Sequence, residues 1–299
     1  MRELLRGYAA ATFESAAGAG RLEAVVSELA TFARALDGSE SLYRILTDAT
    51  IPQRARRGVV VDLLETKAAP ETTSLVSFAV RVEKAGELPA ALAFLVELAE
   101  DDLRQIGRGA VDAEPPAGRT LVRERIRGYA ERVLQELSRR AEVDEVEDEL
   151  FRFARVLDTN PSLRQALTEP ANPLAARVGV VDTLLGDRVR PATLRLARYV
   201  LRAGHVRDLV GTFEWLVELA AEERGRRVAE VRCAVELDTG ERERLAGALT
   251  RLVERPVEVR VVIDPSVVGG MLVSVGDLVI DGTVRLRFER LRDVLAQPS

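Results

Sequence analysis

RGYAAATF, residues 6–13, returns as RGYAERVL, residues 127–134. At the same offset of 121 positions, Phe32-Ala33-Arg34-Ala35-Leu36-Asp37 falls on Phe153-Ala154-Arg155-Val156-Leu157-Asp158. Ser41-Leu42 meets Ser162-Leu163, Leu46-Thr47 meets Leu167-Thr168, Pro52 meets Pro173, and Gly58-Val59-Val60 meets Gly179-Val180-Val181. The register slips near Ala85-Gly86, which pairs best with Ala203-Gly204, and recovers at 94–99 against 215–220. A period this long, present twice, marks a duplicated domain rather than a solenoid array.

Each copy has the periodicity of helices. Leu22, Val25, Val26, Leu29, Phe32, Ala33 and Leu36 follow the i, i+3, i+4, i+7 rule for one buried stripe, and Val143, Val146, Leu150, Phe153, Ala154 and Leu157 repeat it. The first copy is expected to form helices over 2–17, 21–37, 40–48, 52–66, 71–85 and 88–106. Asn160-Pro161 reads as a helix start, with Asn capping free N–H groups and Pro in the first turn, and Pro52 and Pro173 are expected to open a later helix the same way. Gly86 and Gly204 are expected to end the helix before them.

Residues 107–120, GRGAVDAEPPAGRT, have the Gly, Pro and small residues of a linker. After Arg226 the pattern changes. Alternation at Val228, Val231, Cys233 and Val235 predicts a strand over 227–237, and Thr239 can cap a helix to about Glu254. Residues 257–263 alternate again, 271–275 and 278–280 make short strands around Gly276-Asp277, and 283–296 return to helix. The expected fold is mostly α with a small α+β C-terminal domain. Two tandem six-helix bundles (1–106 and 121–226, joined by the linker 107–120) precede a βαββα domain (227–299).

Composition narrows the function. Hydrophobic residues are 47% and charged residues 30%, which suits a folded, soluble chain, and the 4% of aromatics leaves the core to Leu, Val and Ala. All 43 basic residues except Lys67 and Lys84 are arginine. Acids accompany each arginine cluster and the net charge is −5, so solvated helix faces account for them better than nucleic-acid binding. No apolar run approaches the roughly 20 residues that cross a bilayer, and the start MRELLRGYAAATFESA lacks the parts of a signal peptide. The lone Cys233 forms no internal disulfide.

DPSVVGGMLVSVGDLVIDGTV, 264–284, resembles a phosphate loop at first sight. Neither GxxxxGK[ST] nor GxGxxG occurs in it, and each unusual residue has a backbone task. Asp264-Pro265 starts a turn, Gly269-Gly270 leads into a strand at angles closed to other residues, Gly276-Asp277 turns a hairpin, and Asp281-Gly282-Thr283 opens a helix.

The stretch extended to Leu291 resembles the C-terminal signature of the delta subunit of F-type ATP synthases, relatives of the mitochondrial oligomycin-sensitivity-conferring protein. Asp264, Ser266, Gly269, Gly270, Gly276, Asp277, Asp281, Gly282, Arg285, Arg287 and Arg290 fall in place, with Thr283 for the usual Ser. RGYAAATF is similar to the family opening R-x-Y-A-x-A-x-F, and the six-helix count matches the family's bundle. The doubled bundle departs from it.

The resemblance implies a non-catalytic stator component at the cytoplasmic face of the cell membrane, held there through the ATP synthase complex. It links the alpha/beta catalytic head to the b-type peripheral stalk, so that torque becomes ATP synthesis. The implied partners are alpha-subunit N-terminal segments and the b-type stalk subunit, with no nucleic acid, membrane insertion or small-molecule substrate. An alpha segment is expected in a groove between the first and fifth helices of a bundle, through Tyr8, Ala11, Thr12, Ala79 and Val82, with Tyr129 the counterpart of Tyr8. Arg132 stands where the first copy has Ala11, which is expected to change or block the same groove in the second copy.

Catalytic, cofactor and metal residues are expected to be absent. His205 is the only histidine and follows Gly204, and a single His with a single Cys falls short of zinc clusters. Pairs such as Asp101-Asp102 fit solvated helix faces, and Trp215, at the Phe94 position, fits packing. The alternatives are a helical adaptor outside the ATP synthase and a nucleotide enzyme using the glycine-rich tail.

Overall fold

Leu22, Val25, Leu29, Phe32 and Leu36 are all buried, as a stripe on one helix requires. The structure is a computed structural model that describes residues 1–106, 114–138, 142–204, 207–223, 227–253, 257–265, 267, 269–275 and 278–282. The first copy comprises α1 (Arg2–Gly18), α2 (Leu22–Gly38), α3 (Glu40–Thr47), α4 (Gln53–Leu64), α5 (Pro70–Val82) and α6 (Leu88–Ile106). The second repeats the order as α7 (Arg119–Ser138), α8 (Val143–Thr159), α9 (Pro161–Thr168), α10 (Leu174–Leu185), α11 (Pro191–Arg202) and α12 (Leu209–Glu223). Each copy closes around its own apolar core, of which Leu5, Leu29 and Leu75 are typical in the first and Ile126, Leu150 and Leu196 in the second.

The helix starts differ from expectation in chemistry rather than place. Asn160 does precede α9, but its side-chain amide donates back to Val156 O at 2.7 Å instead of capping. In the first copy Ser39 takes the capping role, accepting from Leu42 N–H at 3.4 Å. Pro52 and Pro173 stand just before α4 and α10, one residue short of the first turn, whereas Pro70 and Pro191 fill it in α5 and α11. A carboxylate from a neighbouring helix caps each of these last two. Glu28 accepts from Ala69 N–H at 2.9 Å and from the Thr72 hydroxyl, and Glu149 accepts from Arg190 N–H at 2.9 Å and from the Thr193 hydroxyl. The free N–H groups and the positive end of the helix both favour an anion there. Gly204 has the positive φ (141°) read for it, while Gly86 lies in a short 3₁₀ turn, Ala85–Glu87, at ordinary φ.

The tail holds β1 (Arg227–Cys233), α13 (Thr239–Val253), β2 (Val257–Ile263), β3 (Met271–Val275) and β4 (Leu278–Asp281). The strand order is β2-β1-β3-β4. β1 and β2 run parallel with α13 as their crossover, while β3 and β4 add antiparallel. Four strands therefore form among the described residues, one more than βαββα counts, because the two runs flanking Gly276-Asp277 pair as separate strands. Ala229, Val231, Val257, Val273 and Val275 bury one face against Leu249 of α13. The expected helix over 283–296 lies outside the described residues.

The tail docks on the second copy through charge pairs. Arg260 of β2 reaches Glu147 of α8 at 2.8 Å, and Glu147 is fully buried. Arg155 of α8 meets Glu230 of β1 at 3.3 Å.

Candidate docking interface

The repeated RGYA motif brings two helices together at its glycines. α1 and α7 cross so closely that a Cβ on Gly7 would sit 1.8 Å from Arg125 O, and one on Gly128 would sit 2.0 Å from Leu4 O. A glycine inside a helix costs ~1 kcal/mol against alanine, and here it lets two backbones touch.

Around this crossing the contacts repeat with the duplication. Tyr8 stacks on Phe78 of α5 with ring centroids 3.6 Å apart, and its hydroxyl donates to Gln135 of α7 at 2.9 Å. Tyr129 stacks on Tyr199 of α11 at 3.8 Å, and its hydroxyl donates to the Glu14 carboxylate of α1. Each tyrosine is held by its own bundle's fifth helix and by the other bundle's first helix. Burial, then the Glu14 charge, push the Tyr129 phenol far above its ordinary range, so it stays a neutral donor.

Ion pairs rim the contact. Arg81 meets Glu131 at 2.6 Å, and Arg195 meets Glu14 at 3.4 Å while donating to Ala11 O at 3.2 Å. Arg125, 1% exposed, pairs with Glu3 and donates at 2.9 Å to both Pro115 O and Ala203 O.

The expected partner residues are therefore mostly covered, though Tyr8 and Tyr129 each reach the wall of a cavity. Tyr8, Ala11, Thr12, Ala79 and Tyr129 are buried, and Val82 is partly so. The Thr12 hydroxyl is spent on Tyr8 O of its own helix at 2.8 Å. Ala11 packs into the core of the second copy, so the close approach its small size permits is made by α7. Arg132, its counterpart, is buried too. Burial raises the carboxyl of Glu71 on α5, but the Arg21 bond, a backbone N–H bond and the charges of Arg21 and Arg132 outweigh it and leave Glu71 below the usual range. In the first copy the Arg21–Glu71 pair, with Arg132 bearing on it, occupies the start of α5, while a cavity of about 560 Å³ stays open farther along, beside Tyr8, Ser74 and Phe78. In the second copy Ala192 stands where Glu71 does, and a cavity of about 260 Å³ stays open between α7 and α11, with Val133, Leu137, Pro191 and Ala192 on its wall beside the Arg190–Glu142 and Arg195–Glu136 pairs.

A second cavity, about 380 Å³, lies between the copies with Glu14, Asp102, Glu114 and Arg202 on its wall. Burial raises the Asp102 carboxyl; Arg202 opposes the shift while Glu114 and Glu14 add to it. A carboxyl raised on folding favours the folded state below its unfolded value near 3.8 and loses that advantage as pH climbs through the folded value. Asp102→Asn should therefore raise stability at neutral pH and flatten the stability profile over the range above the unfolded value near 3.8. Denaturant titration across that range tests it; an unchanged profile would count against it.

Of the C-terminal signature, Gly269 and Gly270 adopt φ of 69° and 78° before β3, and Gly282 N–H donates to Met271 O at 2.9 Å beside the β3–β4 pair. Asp264 lies 3.9 Å from Arg232. Asp281 closes β4. These residues shape backbone. Ser266, Gly276, Asp277, Arg285, Arg287, Arg290 and His205 lie outside the described residues.

The family model described as the ATP synthase delta (OSCP) subunit matches residues 4–113 and 126–295. The first segment takes one bundle, and the second takes the other bundle with the tail. An ATP synthase subunit delta of Parafrankia sp. (strain EAN1pec) is 36% identical over 270 residues, 90% of this chain and 85% of the relative. That of Streptomyces avermitilis is 34% identical over 274 residues, 91% of this chain and 88% of the relative. That of Nocardia farcinica is 42% identical over 166 residues, 56% of this chain and 61% of the relative.

Proposed function

The chain belongs to the ATP synthase delta (OSCP) subunit family, and from that premise we propose that it works as a non-catalytic stator component of an F-type ATP synthase. In this reading it ties the alpha/beta head to the b-type stalk at the cytoplasmic face of the membrane. No helix among the described residues is long and apolar enough to cross a membrane, so attachment runs through partners. The observation that carries the reading is the family match through both bundles and the tail, and the buried α1–α7 crossing supports it. A strut must not stretch between its two grips, and interlocked backbones with paired charges resist shear where a free linker would not.

The experiment is reconstitution on membranes stripped of the catalytic head and of this chain. Head alone should hydrolyse ATP without proton-coupled synthesis, and adding the chain should restore both attachment and synthesis. Coupled synthesis in its absence would overturn the proposal.

Within this reading, the alpha N-terminal segment docks on the second copy, in the opening between α7 and α11. That groove has apolar Ala192 on its floor where its counterpart has Glu71 paired with Arg21, and its own pairs, Arg190–Glu142 and Arg195–Glu136, stand at the rim. The tail sheet grips the b-type stalk. Ala192→Arg should weaken binding of an alpha N-terminal peptide at least about tenfold by filling the floor with charge, read by calorimetry. Unchanged affinity would move the site elsewhere.

A further inference from the structure

We propose that the groove where the start of α7 meets the start of α12 is a docking site for an acidic, amphipathic segment of a partner polypeptide. It is a different face of the second bundle from the α7–α11 groove, so either can fail without the other.

The groove encloses about 460 Å³. Arg119 and Arg123 stand four residues apart on α7, and Arg207 faces them just before α12; all three are exposed. Among the described residues none of the three is bonded to a carboxylate. Asp208, the acid on the wall, is committed to α12: its Oδ1 accepts from Gly211 N–H at 2.9 Å. With three arginines against one carboxylate the groove is net positive on a chain whose net charge is −5. Trp215 lies on the same wall, half-buried, with the Arg123 guanidinium 4.5 Å from its ring centroid. Val122 supplies apolar floor.

This arrangement selects its occupant by chemistry. Two arginines spaced i, i+4 on one side and a third opposite make two charged rails above an apolar floor. A segment with acids along its flanks and an aliphatic or aromatic residue between them satisfies both parts. A single phosphate would use one rail and leave Trp215 without a contact. The equivalent face of the first bundle keeps Arg2 near Phe94, at 5.7 Å, but Ala90 and Ala91 stand where the second has Gly211 and Thr212.

Trp215 is the only tryptophan, so its fluorescence reports this groove alone. The probes are a helical peptide of about 16 residues built from Glu, Leu and Ala, with acids at i, i+4, and its Gln-for-Glu twin. The acidic peptide should shift the Trp215 emission saturably. Arg123→Gln with Arg207→Gln, both exposed and so neutral to folding, should weaken it about tenfold. The Gln twin should not bind. Equal response to the two peptides, full binding by the double variant, or an identical shift with ATP or inorganic phosphate at the same concentration would each overturn the proposal.

Discussion

Gly128→Ala should destabilise the protein by about 3 kcal/mol, the opposite of what the substitution does in an isolated helix. Helix propensity alone predicts a gain of ~1 kcal/mol, because alanine loses less backbone entropy than glycine. The new methyl, however, would lie 2.0 Å from Leu4 O, and a backbone carbonyl in the middle of a helix has no rotamer to escape into. α1 and α7 must separate by about an ångström, and the stacked tyrosines, the Gln135 bond and the Arg195–Glu14 pair lose their geometry together. Gly7→Ala should act similarly, with its methyl 1.8 Å from Arg125 O. The double variant should cost well under the sum, since one separation relieves both clashes. Urea titrations followed by Trp215 fluorescence, which sees the second bundle, and by far-ultraviolet dichroism, which sees all helices, should diverge in the variants as the bundles uncouple. A stabilised Gly128→Ala protein would mean that the helices do not cross there.

The same crossing shows what one sequence reveals and where it stops. The stripes at 22–36 and 143–157 disclose helices because burial of one face imposes a period that survives in the letters. The tail's first two strands are legible from alternation, the last two only as short runs around a turn, and the glycines at 269 and 270 from the angles they require. A stripe says that a face is covered without saying by what. Tyr8, Ala11 and Tyr129 read as a docking surface for an alpha-subunit segment, whereas residues more than a hundred positions away in the other copy cover them. The available clue was glycine in the interior of both first helices at the same place, against helix propensity. The pairing of Glu3 with Arg125, or of Glu147 with Arg260, leaves no local trace, because any of the surrounding acids and arginines satisfies the sequence equally well. Asn160 illustrates the reverse limit: the residue type allowed a cap, and geometry gave its amide another acceptor.

Arg125→Met should cost about 3–5 kcal/mol, and the reason lies in what the guanidinium leaves behind. It breaks the internal symmetry, since the matching position in the first copy is Leu4. Its charge is almost wholly out of water at 1% exposure, and it is tolerated because Glu3 of α1 supplies the opposite charge while Pro115 O and Ala203 O take the remaining donors. These acceptors belong to three separate pieces: the first bundle, the segment leading into α7, and the end of α11. Glu114 N–H adds a bond from that segment to Arg202 O at 3.0 Å. One side chain thus fixes the lead-in to α7 and ties it across to the first bundle. Methionine fills much of the volume but strands two carbonyls and leaves Glu3 only its longer pairing with Arg6 at 3.6 Å. Arg125→Lys should be nearly as damaging, because an ammonium on a flexible stem cannot serve three acceptors arranged for a planar fork. Glu3→Gln keeps an accepting oxygen and removes only the charge, so it should cost less, about 1–3 kcal/mol. Exposed pairs such as Arg104–Asp101 weaken in salt, whereas a buried one is screened little, so the Arg125→Met loss should persist from 0.1 to 1 M NaCl. If Arg125→Lys unfolds at the wild-type denaturant midpoint, the guanidinium is not the tie between the bundles, and the strut would owe its stiffness to the glycine crossing alone.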